Sequence, residues 1–468
     1  MPRLLPGPQA ATWVLVEASL TALMSLASVV VIGRIIGPAA VGLGTVAIAA
    51  FFLLELLPTS LWTEALVQRP RLTPRHASSA VTSAVLTGAA CGLILAGLAP
   101  HLGDGTAAPL ALALAPLLPV SAFTCSVTGL LLREQRFRLL AGRAMVGQPL
   151  ALAAGVATGL AGHGPWALVV QQAVATAVAL ALVLGWGRLR LRPMLDLATL
   201  RDLAQVAGPQ YAATVVDLSK YRALIVALSA ILPAAAMAHA HVALRVVDGV
   251  VAPVAQIMAR LALPRLCARQ GDRPALVDCY GRLVELQALL GLPAVVGVAL
   301  VSPELVAVLL GPDWAGTADA SAVAALGAVA PFLAGPHAAL FIAVGRAGLN
   351  LRIALGTAAA QALALLALRP GSALEVALAM ALAGAALAPV LAWLVLRELR
   401  RPPWWLLARL APAGLACAAM ALAVLLLRRG VPMAPVAAML ASMALGGLVY
   451  GLAAGALLGF RRPAGLRG

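Results

Sequence analysis

The sequence predicts an all-α polytopic membrane protein with about 14 transmembrane helices, and three observations carry that expectation. The chain of 468 residues is 62% hydrophobic and 11% charged, with a mean hydropathy of +0.99, whereas soluble domains are about half apolar and about a quarter charged. Apolar runs near the length needed to cross a bilayer recur from end to end, and the alternating pattern of a membrane β-barrel is absent. Basic residues are concentrated in alternate connections between those runs, the asymmetry that fixes membrane topology.

The spans follow in order at about 11–36, 39–62, 77–100, 107–131, 144–162, 165–186, 206–231, 234–262, 283–302, 317–343, 351–368, 373–396, 404–427 and 433–459. They are separated by Gly/Pro turns such as GPAA, GHGP and RPGS, or by arginine-bearing loops. The connections are short, so no soluble catalytic domain fits between helices. The first apolar run is too long for the core of a signal peptide and lacks a convincing cleavage site, so it reads as the first span.

With the N-terminus placed inside, three basic residues (Arg369, Arg428, Arg429) fall in outer loops and four (Arg34, Lys220, Arg222, Arg245) within spans; all others of the 33 lie inside. That distribution predicts cytoplasmic N- and C-termini. It also explains the net charge of +16 without a nucleic-acid partner. The eight tryptophans fall at or near span ends, where an amphipathic ring favours the headgroup layer. The basic segments REQRFRLLAGR and RLRLRPMLDLATLRDL read as interfacial turns against anionic lipid. The five cysteines are scattered, with neither zinc-site spacing nor a disulfide framework. No nucleotide-binding loop, catalytic triad or metal cluster is present.

IGPAAVG at 36–42 and ILPAAAM at 231–237 each fall at the outer turn of a six-span block. They suggest two six-helix lobes as parallel pseudo-repeats around a central cavity. The implied organisation is 1–203 for spans 1–6, 204–400 for spans 7–12, and 401–468 for two extra C-terminal helices.

Charges inside the spans are the candidate functional groups, because each costs about 2.5–3.5 kcal/mol at a helix centre. Asp217, Lys220 (the only lysine) and Tyr221 share one face of span 7, with Arg222 on another. His241, Arg245 and Asp248 form one stripe of span 8. Span 1 adds Glu17, Thr21, Ser25 and Ser28 along one side, with Arg34 toward its outer end; Glu55 stands toward the cytoplasmic end of span 2. Lys220, Arg222, Arg245 and Arg34 are expected to make a water-filled cavity attractive to phosphate, which the planar guanidinium fork suits. Asp217, Asp248, Glu17 and Glu55 are candidate cavity acids or ion-coupling groups, and Tyr221 and His241 candidate lining residues. The competing reading is that Asp217–Lys220 and Arg245–Asp248 are neutralised pairs that set helix packing. His239 and His241 do not share a helix face, which argues against metal binding.

Several segments resemble those of a known family. GRIIGPAAVG at 33–42, ALVQRPRLT at 65–73, REQRFRLLA at 133–141 and GHGPWALVVQQ at 162–172 are similar, in order and spacing, to segments of polysaccharide flippases. LPRLCARQGDRPALVDCYGR, LLGPDWAG at 309–316 and VGR at 344–346 continue the likeness. The family is the polysaccharide transport, or O-antigen flippase-like, branch of the multidrug/oligosaccharidyl-lipid/polysaccharide exporter superfamily, and the resemblance covers about residues 10–400. It implies alternating access and a polyprenyl-diphosphate-linked oligosaccharide moved from the inner to the outer leaflet of the bacterial cytoplasmic membrane. It also implies no enzymatic activity, no cofactor beyond a coupling ion (H+ or Na+) or the membrane potential, and glycosyltransferases and a polysaccharide polymerase as pathway partners. Lys220-Tyr221-Arg222 departs from the acidic residue that many relatives carry in span 7, so no family residue is assigned to coupling. A drug or small-molecule exporter of the same superfamily and a membrane-embedded glycan polymerase or ligase are the alternatives. The first favours an acidic cavity and the second a large outer loop.

Overall fold

The computed structural model describes residues 8–68, 72–186 and 191–459. Several side chains within its helices, Asp217 and Lys220 among them, lie outside the described residues. Helix α1 (Pro8–Gln68) has 61 residues and is broken at Gly37, with φ 74° and ψ 171°. Unbroken it would measure about 90 Å, three times a bilayer core. Gly37 adopts backbone angles open only to glycine, and Pro38 after it lacks the N–H needed to continue the ladder. The break therefore separates the two spans predicted at 11–36 and 39–62.

The remaining helices follow in chain order. These are α2 (Pro74–Leu98), the pair α3 (Ala108–Leu114) and α4 (Leu117–Arg133), α5 (Phe137–Leu160), α6 (Trp166–Trp186), α7 (Leu197–Leu228) and α8 (Ala234–Cys267). After them come α9 (Arg273–Leu309), the short α10 (Ala315–Gly327), α11 (Ala330–Leu333) and α12 (His337–Ala343), then α13 (Gly348–Leu368), α14 (Ala373–Leu399), α15 (Pro403–Gly430) and α16 (Pro435–Gly459). Among the described residues, 11 helical stretches are long and apolar enough to cross a membrane, and a twelfth is α3 with α4, bent by 41°. Helix α1 holds two predicted spans, and α7, with 32 residues, matches another. Each of the 14 predicted spans therefore has a helix.

Two predicted arginine-bearing connections prove mostly helical. The chain turns only at 134–136 before α5 resumes with Phe137, and only at 268–272 before α9 begins with Arg273. Apolar length marks what lies in hydrocarbon, whereas caps mark where a helix stops. Asp272 caps α9 by accepting from the Ala275 N–H at 3.0 Å. Asp196 caps α7 and accepts from the Thr199 hydroxyl at 2.6 Å, and the Thr199 hydrogen bonds hold its carboxyl below the ordinary carboxylate range.

The chain divides into two compact units, Met1–Ala238 and His239–Gly468. The division falls one helix later than the 203/204 boundary suggested by the repeats, because α7 packs on α1, and residues 401–459 belong to the second unit. In the first unit α1 is central, packed by α2, α4, α5 and α7. Leu66, Ala80, Ala84, Ala122 and Leu203 are fully buried together in this core. Its two echoed segments touch: a Cβ at Gly42 would stand 1.8 Å from the carbonyl oxygen of Ala234. Only glycine permits that approach.

In the second unit α9 is central, packed by α10, α15 and α16, with Tyr280 and Val284 fully buried and the Tyr280 hydroxyl donating to the Ala334 carbonyl at 2.5 Å. Arg409 of α15 donates to Glu285 of α9 at 3.0 Å, and Arg428 donates to Glu304. Both contacts join residues 124 apart, so α9 and α15 run parallel. The two pairs lie about 28 Å apart along the helices, close to the thickness of a hydrocarbon core. Glu304 thus neutralises one of the few arginines predicted on the outer side. Trp393 and Trp404 are exposed, as interfacial anchors should be, but Trp62 and Trp314 are buried at 7% and 1% exposure. Those two rings serve the cores instead of the headgroup layer.

The Arg428–Glu304 contact yields a test of this packing. Arg428→Ala and Glu304→Ala should each lower the unfolding temperature in detergent, and the double variant should show a coupling energy of about 0.5–3 kcal/mol. Additive single effects would show that the pair does not fasten α15 to α9.

Candidate functional site

The first unit gathers charge and hydroxyl groups from four helices. Glu55, in the second half of α1, accepts a hydrogen bond from the Ser121 hydroxyl of α4. Arg222 of α7 interacts electrostatically with Glu55, and its guanidinium carbon stands 5.5 Å from the centre of the Phe52 ring. Arg143 of α5 donates to the Thr128 hydroxyl at 3.2 Å, and Cys125 of α4 lies within electrostatic reach of both Glu55 and Arg143. The Tyr211 hydroxyl of α7 donates to the Leu57 carbonyl at 3.2 Å. The predicted Glu55 and Arg222, placed on separate spans with no stated relation, thus form one cluster.

Ser121, Cys125, Thr128 and Arg143 were not singled out by the sequence. The available signal was the spacing of Ser121, Cys125 and Thr128, which places them on one helix face. Cys125, one of the scattered cysteines, lies beside this polar group. Ser28, placed with Glu17 along one side of span 1, donates to Gln171 of α6 at 2.8 Å. Glu17 and Tyr221 are half-buried and Arg34 is exposed. The expected Asp217–Lys220 pair lies outside the described side chains.

The second unit holds the charged stripe of α8. Arg245 and Asp248 are exposed and His241 half-buried, and the Arg245 charge acts on both neighbours. His239 turns the other way: its Nδ1 lies 2.8 Å from the Thr317 hydroxyl and its ring meets Trp314 edge-on, with centres 5.5 Å apart. The two histidines therefore separate as their helical spacing requires. Among the described residues, no group of three or more His, Cys, Asp or Glu side chains forms a metal site.

Arg245 and Asp248 stand well inside α8, a helix apolar enough to span the membrane. Ions exposed at such a depth do not face acyl chains, because the transfer cost is about 2.5–3.5 kcal/mol each even on the most permissive scale. Both are exposed on one face of α8, and the Arg245 charge acts on Asp248.

The apolar helical spans and the broken helix α1 define a polytopic, all-helical membrane protein. The fold is similar to a solved "Lipid II flippase MurJ, inward closed conformation", with TM-score 0.76 and 13% identity over 94% of this chain and 97% of that one. It is also similar to an inward-facing multidrug resistance MATE family transporter of the MOP superfamily, with TM-score 0.63 and 15% identity over 82% of this chain and 98% of that one. No curated protein sequence matches the chain. Residues 31–319 match the sequence model of the polysaccharide biosynthesis proteins, and the chain belongs to that family.

The Glu55–Arg222 contact predicts a defined pattern of stability. Glu55→Gln preserves an acceptor for Ser121 and should be mild. Glu55→Ala removes both the acceptor for Ser121 and a charge that acts on the half-buried Arg222 and should lower the detergent unfolding temperature further, and adding Arg222→Met should recover part of the loss. Equal destabilisation by Glu55→Gln and Glu55→Ala would remove the hydrogen bond to Ser121 as the relevant contact.

Proposed function

We propose that this protein is a flippase that moves a polyprenyl-diphosphate-linked oligosaccharide from the inner to the outer leaflet of the bacterial cytoplasmic membrane by alternating access. The observation that carries the reading is the exposed arginine at mid-depth on α8. A diphosphate and a glycan cannot cross hydrocarbon unaided, whereas a cation in an aqueous cleft receives the phosphoryl oxygens while the polyprenyl tail stays in lipid. Arginine suits that task because its planar fork binds two oxygens at once. Family membership in polysaccharide biosynthesis and a fold shared with a lipid II flippase support the same cargo class.

Arg34, Lys220, Arg222 and Arg245 are the proposed phosphate-facing groups. Asp217, Asp248, Glu17 and Glu55 offset their charge or couple transport to H+ or Na+, and Tyr221 and His241 line the path. Both termini are cytoplasmic in this reading, and the pathway partners are the glycosyltransferases that build the cargo and the polymerase that consumes it. An exporter of cationic drugs would be served by an acidic path, and the exposed charges of α8 include arginine without an excess of acid.

A leaflet assay with a fluorescent polyprenyl-diphosphate sugar in proteoliposomes tests the assignment. Lys220→Ala and Arg245→Ala are each expected to slow flipping about tenfold or more, the loss of one charge-assisted contact. Unaltered rates in both would exclude them from the phosphate path. The energy source makes a second test. With the inside negative, two charges moving outward gain about 2.3 kcal/mol each per 100 mV, so collapsing the potential at fixed ion gradients should slow export. An unchanged rate would refute that drive.

A further inference from the structure

Between residues 241 and 260, α8 carries six residues that are neither Ala, Pro nor larger apolar types: His241, Arg245, Asp248, Gly249, Gln256 and Arg260. At 100° per residue all six fall within about 60° of the direction of Arg245. The opposite side, Val247, Val254 and Met258, is buried. Along the polar side Arg245, Asp248, Gly249, Gln256 and Arg260 are all exposed, and among the described residues nothing beyond its own stretch of helix comes within 4 Å of where a Gly249 side chain would be. The exposed stripe at Arg245 thus continues to the cytoplasmic end of the helix. Arg260 is the second cation on it, about 22 Å from Arg245, and it makes no ion pair with a carboxylate among the described residues.

We infer that this face of α8 is a two-station track for the cargo headgroup, with Arg260 as the cytoplasmic capture site for the diphosphate and Arg245 as its mid-depth site. A diphosphate is much shorter than the gap, so it occupies the stations in turn. Gln256 lies between them and donates to or accepts from sugar hydroxyls, and Asp248 accepts from them. The inference rests on the proposed cargo and orientation and adds to them a residue, Arg260, that acts before translocation.

The test separates capture from movement. The full chain in nanodiscs is titrated with the fluorescent polyprenyl-diphosphate sugar, and the same variants are assayed for flipping in proteoliposomes. Arg260→Ala should weaken binding and raise the half-saturating probe concentration about tenfold or more, with the maximal rate within about twofold of wild type. Arg260→Lys keeps the charge but loses the fork and should fall between. Arg245→Ala should lower the maximal rate with the half-saturating concentration less affected, and Arg352→Ala, an exposed arginine on α13, should match wild type. Inorganic pyrophosphate should compete with the probe in wild type and not in Arg260→Ala. Binding by Arg260→Ala equal to wild type, or a shared defect in Arg260→Ala and Arg352→Ala, overturns the capture site. Arg260-dependent binding with no flipping by wild type would keep the capture site and overturn the flippase reading instead.

Discussion

The structure turns on one constraint: a charge within a bilayer must be paired, hydrated or both. Most of this chain meets that constraint by keeping charge out of the spans. Where charge enters, the packing shows which remedy applies. Glu55 accepts from Ser121 and interacts electrostatically with Arg222 among α1, α4 and α7, and a buried charge held this way serves mainly to set which helices meet, since desolvation cancels much of its Coulombic gain. Arg245 and Asp248 are exposed instead, and the Arg245 charge acts on the Asp248 carboxyl.

The ion pairs of the second unit show a third solution. Arg409–Glu285 and Arg428–Glu304 sit a bilayer's thickness apart on two parallel helices. Charge at those levels reaches headgroups and water, so pairing there is inexpensive and fixes the register of α15 against α9. The Tyr450 hydroxyl of α16, donating to the Leu289 carbonyl at 2.8 Å, adds a neutral tie on the same helix. The two C-terminal helices, an appendage in the repeat-based reading, are thereby part of the unit built on α9.

The span pattern was legible because hydrocarbon imposes a length and polarity rule that depends on few other details. The Gly37 break was legible for a similar reason, since Gly followed by Pro admits few backbone paths. Helix ends were harder: Arg273 and Phe137 begin helices inside segments read as loops, because a helix leaving the hydrocarbon may stay helical in water when a residue such as Asp272 caps it. Trp314 was misread because an aromatic at a span end fits either headgroups or a core, and its ring partner His239 comes from a separate stretch of chain. At the candidate site, the stripe of α8 followed from helical spacing alone. The Ser121–Cys125–Thr128 face that meets Glu55 and Arg143 depends on tertiary contact between α1, α4 and α5, which no local pattern contains.

The surroundings of the two arginines on α8 bear on how a track can both accept and release a dianion. Tight binding throughout would trap the cargo, so the mid-depth station must hold phosphate less firmly than its isolated charge would. Asp248 provides that correction, because its carboxylate lies one turn from Arg245 and interacts with it. Arg260 has no such acid on the polar face and serves as the stronger point of entry, from water where phosphate is already solvated. On the proposed track, cargo past it would meet a compensated cation, and an inside-negative potential worth about 2.3 kcal/mol per charge per 100 mV would favour onward movement over return. The order of one uncompensated arginine at the mouth and one compensated arginine within gives the helix a direction that two identical sites would lack.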